Sequence, residues 1–132
     1  MANGTIAFDT LQTSGQITGT AKSVDTDYVV SGSNKAWGYL DGTGTVSLLN
    51  SFNVSTATDV STGIYAFNFT NNFENINFCW AGICGNQAGN AANLSTPGAA
   101  NTTSKVTCKN WVYNAALLHR DTNNVIVNGD LA

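Results

Sequence analysis

Three cysteines, one histidine and eight carboxylates are the groups that could do chemistry in this chain. Triad catalysis needs a base beside a nucleophile and an orienting acid. His119 is accompanied by no Gly-x-Ser-x-Gly elbow and no Cys–His signature. It sits between Leu118 and Arg120-Asp121, a polar junction that suits a surface or interface histidine. A glycosidase needs two carboxyl groups held across a sugar. Most of the carboxylates here fall at turn positions, Asp41, Asp59 and Asp130 among them, where such groups usually bond the local backbone. Gly42-Thr43-Gly44 is followed by no Lys-Ser/Thr and precedes a strand pattern, so it is not a phosphate loop. No catalytic residue, metal or cofactor is expected.

The cysteines, Cys79, Cys84 and Cys108, allow three readings. They are free thiols packed as small hydrophobes, or Cys79 and Cys84 close a short bridge that leaves Cys108 free, or all three hold zinc with His119. The C-x4-C-x23-C-x10-H spacing of the third matches no ordinary zinc ribbon or finger. The tryptophans Trp37, Trp80 and Trp111 could stack on sugar rings. Alternation within strand patterns favours core packing for Trp37 and Trp80, whereas Trp111, close to Lys109, suits core and surface equally.

The elements that position these groups read as strands. Val46, Leu48, Phe52 and Val54 share one parity with Asn50, opposite Thr45, Ser47, Ser51 and Asn53. This period of two predicts one long, half-buried strand. The Asp41-Gly42 signal before it predicts a hairpin with Ala36 to Leu40. Thr58 to Gly63 reads as a turn, and Ile64 to Thr70 as a strand carrying Tyr65, Phe67 and Phe69 on one face. A further strand is expected across Asn71 to Asn75, and alternation of Ile76, Phe78 and Trp80 continues the meander. Residues 85–104 lack any pattern, which predicts a long loop of the kind that is usually functional or mobile. Lys105 to Tyr113 resumes alternation with a one-residue slip between Cys108 and Trp111, which predicts a bulge. Asn124 to Asn128 closes the series.

Charged residues are 10% of the chain and the net charge is −3. The five basic residues are too few and too scattered for a nucleic-acid footprint. No apolar run approaches the roughly 20 residues needed to insert in a membrane, and no signal peptide is expected from the opening residues. Several short strands without helices predict an all-β chain, a β-sandwich or jelly-roll-like domain over residues 35–132, preceded by an extended N-terminal arm over residues 1–34. The apolar teeth of that arm, Ile6, Phe8 and Leu11, need another surface to bury them. Free monomers blunt exposed strand edges with charge, often Lys. That device is scarce here, which predicts a homo-oligomer.

The stretches Lys35-Ala-Trp-Gly-Tyr-Leu-Asp-Gly-Thr-Gly-Thr-Val46, Asn50-Ser-Phe-Asn-Val-Ser55, Thr58-Asp59 and Gly63-Ile-Tyr-Ala-Phe-Asn-Phe-Thr70 resemble a repeated module of tail-fibre-like proteins of tailed bacteriophages, especially those of marine bacteria. Gly4 to Thr10 and Asn128 to Ala132 extend the likeness weakly. The resemblance implies a virion structural protein on the particle exterior, a tail-fibre or capsid-decorating appendage that contacts other virion proteins. It implies a homotrimer and no catalytic residue. Residues 79–120 match no part of the module and are where contact with a host-surface glycan is expected, at Trp111 and Lys109 with Asn90 and Asn93. The alternative is a lectin-like glycan-binding module working as a free protein.

Overall fold

In the computed structural model, residues 32–85, 93–95, 101–111 and 117–132 are described. The arm residues Ile6, Phe8 and Leu11, and Asn90 and Tyr113, lie outside them. Eight strands follow in order: β1 (Ala36–Asp41), β2 (Ser47–Phe52), β3 (Val54–Ser61), β4 (Ile64–Phe69), β5 (Cys79–Gly85), β6 (Asn93–Ser95), β7 (Lys105–Trp111) and β8 (Thr122–Asn128). They form two four-stranded antiparallel sheets, β2-β1-β8-β5 and β3-β4-β7-β6. The chain is an all-β sandwich.

Alternation explains the core. β1 buries Ala36, Gly38 and Leu40 and turns Trp37, Tyr39 and Asp41 the other way. β8 buries Asn123, Val125 and Val127. From the opposite sheet come Tyr65, Phe67 and Phe69 of β4, and Val106 and Cys108 of β7. Phe67 lies against Gly38 so closely that a Cβ there would stand 2.7 Å from its ring. The missing side chain is what lets an aromatic from one sheet reach the other. Phe73 and Phe78, in the connection before β5, close one end of the sandwich against Phe69, with ring centroids 4.8 and 5.9 Å from it.

Four expectations are corrected. The long strand from Thr45 to Val54 is two strands in different sheets, broken at Asn53, which has φ +52°. Asn is among the few non-glycine residues that tolerate this region. Its amide then holds the corner: Nδ2 donates to Lys35 O at 3.0 Å, and Oδ1 accepts from Asn71 N at 2.7 Å. No strand runs from Asn71 to Asn75. The expected turn at Thr58 to Gly63 narrows to Thr62-Gly63, with β3 running on to Ser61. β7 has no bulge: its pairing with β4 and β6 is unbroken from Lys105 to Trp111, because polar Asn110 takes the inward position. The β1–β2 hairpin is present, but its connection is longer than an Asp-Gly turn and takes its positive φ at Gly44.

Candidate functional site

The cysteines separate along and across strands. Cys79 is exposed at the start of β5 and Cys84 is buried near its end, on opposite faces. A strand rise of about 3.3 Å per residue places them about 16 Å apart, well beyond the roughly 7 Å Cα limit of a disulfide. The Cys79–Cys84 bridge is therefore corrected to free thiols, and Cys108 is a third. The same separation removes Cys79 from any shared metal site. Among the described residues no three His, Cys, Asp or Glu side chains come together to hold an ion.

His119 is engaged through its ring. Its Nδ1 lies 2.7 Å from the Tyr65 hydroxyl, which also bonds Gly42 O at 3.0 Å. Burial pushes the Tyr65 phenol up to about 12. This junction opens a polar layer between the sheets. Asn110 Nδ2 donates to Asn123 Oδ1 at 2.8 Å, and Asn123 Nδ2 donates to Arg120 O at 2.7 Å. Arg120 is itself buried, and its Nε has no hydrogen-bond partner among the described residues. Cys84, beside Asn123 in the β5–β8 register, and Cys108, beside Tyr65 in the β4–β7 register, complete the layer. Burial raises both thiols, Cys84 to about 11 and Cys108 to about 12. A thiolate is the nucleophile, so these protonated, buried sulfurs are inert packing groups.

Of the expected contact residues, Lys109 and Trp111 do come together. They lie on the same face of β7, with Lys109 Nζ 3.9 Å from the indole centroid. This cation–π contact covers one face of the ring that a sugar would stack upon. Asn93 opens β6 directly opposite Trp111 in the register. Trp80 packs against the core as expected. Trp37 does not: it faces outward from β1, between Phe52 of β2 and Ile126 of β8. The alternation that suggested burial was correct in period and opposite in parity, because Ala36, Gly38 and Leu40 take the inner positions.

The strand edges are the most unusual surface. β2, β5, β3 and β6 border the two sheets and hold one charged residue between them, Asp59 of β3. Leu49 and Val60 on these edges are 52% and 53% exposed. Comparison with protein-family models, with curated proteins and with solved structures finds no match.

Proposed function

We propose that this chain is a non-enzymatic structural subunit that self-associates through its sheet edges, as an appendage on the exterior of a tailed-phage virion. The observation that carries the reading is the near absence of charge on the border strands. An unpaired strand edge presents a row of N–H and C=O groups that templates pairing with another chain. Soluble monomers place Lys, Pro or inward charges there, and Ser47-Leu-Leu-Asn-Ser-Phe52 and Cys79-Trp-Ala-Gly-Ile-Cys-Gly85 place none. In a permanent assembly the edges are covered, and uncharged Ser, Thr and Asn suffice. The virion assignment rests on the resemblance of residues 35–70 to the tail-fibre module. A homotrimer is the expected assembly, with other virion proteins and a host-surface glycan as partners.

The test is the solution mass of the full chain by light scattering across a concentration series. A mass near three subunits supports the proposal, and a monomer at every concentration overturns it. Leu49→Lys together with Val60→Lys should weaken association at least tenfold while the circular dichroism of the sandwich is unchanged.

A further inference from the structure

Among the described residues four strands border the two sheets, and three of them carry devices that keep an edge from pairing. β2 is bulged: Tyr39 pairs with Asn50 and Leu40 with Leu48, which leaves Leu49 as an extra residue. β3 shifts register twice against β4 and holds the charge of Asp59. β6 is three residues long, and short edges template poorly. β5 has none of these devices. It runs seven residues, from Cys79 to Gly85, without charge or proline and in unbroken register with β8. Its Cys79, Ala81, Gly82 and Ile83 are exposed, Ile83 at 65%.

The side of β5 turned away from β8 presents N–H and C=O groups that an added extended strand satisfies. The residues of β5 suit β5 itself. Antiparallel pairing about Gly82 sets Cys79 opposite Gly85, Trp80 opposite Cys84 and Ala81 opposite Ile83 of the other copy, each twice by symmetry. Each of these pairs joins a larger side chain to a smaller one, which lets neighbours interdigitate. A centre at Ala81 or Ile83 leaves two residues of the seven unpaired. On the outer face, Phe52, Trp37, Ile126 and Ala81 form one apolar row across the four strands. Pairing about Gly82 continues that row with Ile83 of the second copy. This side chain then stands at the rim of a hollow of about 290 Å³ lined by Ala81, Gly82, Ile83, Asn124, Val125 and Ile126.

We propose that β5 pairs with β5 of a second copy, antiparallel about Gly82, and joins two β2-β1-β8-β5 sheets into one continuous sheet. The pairing rests on the edge-mediated association proposed above and names its strand and register. It is two-fold, so it joins two subunits, or two trimers where the three-fold assembly also forms.

Spin labelling of the full chain tests it. Cys79 is exposed whereas Cys84 and Cys108 are buried, so a nitroxide on the unaltered protein reports on β5. Double electron–electron resonance should give the separation expected for two Cys79 Cα atoms about 20 Å apart, six strand steps. Centres at Ala81 or Ile83 would instead give about 14 or 27 Å. Ala81→Lys with Ile83→Lys sets like charges opposite each other in both pairs. It should weaken the contact roughly tenfold, with the circular dichroism of the sandwich unchanged. Ala81→Lys with Ile83→Glu sets opposite charges there and should restore the contact. No defined distance, a distance of another register, or equal loss in both double variants overturns the pairing. The solution mass separates this outcome from the assembly it rests on. A mass of two or six subunits supports the β5 pairing. A mass of three at every concentration overturns it and leaves the three-fold assembly standing, and a monomer overturns both.

Discussion

Asn110 of β7 and Asn123 of β8 join the two sheets through a buried side-chain hydrogen bond of 2.8 Å. Asn123→Ala should leave Asn110 Nδ2 with only its 3.5 Å contact to Leu118 O and remove the bond to Arg120 O, at a cost of about 1–3 kcal/mol in urea unfolding. Replacing both by apolar residues of similar shape should cost less than the sum of the single changes, because neither polar group is then left unpaired. The buried thiols give a pH dependence of definite sign. Cys108 titrates at about 12 in the folded chain against 9.0 unperturbed, chiefly because burial disfavours the thiolate. Between those values the unfolded chain binds fewer protons, so stability falls as pH rises. It is fully present below pH 9 and should be lower by roughly 4 kcal/mol near pH 12 from this group alone. Cys108→Ala should flatten that part of the curve, measured by urea unfolding at stepped pH. Asp41 works in the opposite direction. Hydrogen bonds from the Thr43 hydroxyl and N–H hold its carboxyl below the ordinary value of 3.8, so its support of the β1–β2 connection is lost as pH falls through that lowered value.

Turns and corners decide how the strands are distributed. The β3–β4 turn closes at Gly63, where φ is +67° and a Cβ would stand 2.8 Å from Leu118 O. Gly63→Ala therefore meets both backbone strain and a clash, and should cost well over 1 kcal/mol. Gly44→Ala, at φ +62° with open space around it, should cost about 1 kcal/mol, the strain alone. Thermal unfolding of the two variants side by side separates the contributions. Much of β1, β4 and β8 is legible in the sequence, because an alternating pattern with one apolar side specifies a strand whatever it pairs with. The corner at Asn53 was not, since alternation continues straight across it from Phe52 to Val54. The signal was a single asparagine able to adopt positive φ, and its meaning depends on Lys35 and Asn71, distant in sequence. The inward Asn110 was hidden for the same reason: a polar residue reads as outward unless its partner, Asn123, is known.

At the scale of the whole molecule, the described residues leave two surfaces that a lone domain rarely leaves bare: edges with one charge, Asp59, and an apolar outer sheet face. The proposed assembly answers the first. Charge placed on the edges at Leu49 and Val60 should release subunits without loosening the sandwich.

Strand periodicity, the scarcity of charge and the absence of helical patterning made the all-β class readable from residue types alone, because these are local properties. The free state of Cys79 and Cys84 also follows from local geometry once both lie on one strand. Which side of β1 faces inward, and that Asn110 of β7 does, was decided only by the tertiary structure. Trp37 and Asn110 exchange their expected places because parity is set by the opposite sheet, through Phe67 against Gly38 and Asn123 against Asn110. The pairing of β1 with β8, across nearly the whole described chain, was likewise beyond the sequence. Register between distant strands depends on which faces can be buried together, and that is a property of the pair rather than of either strand.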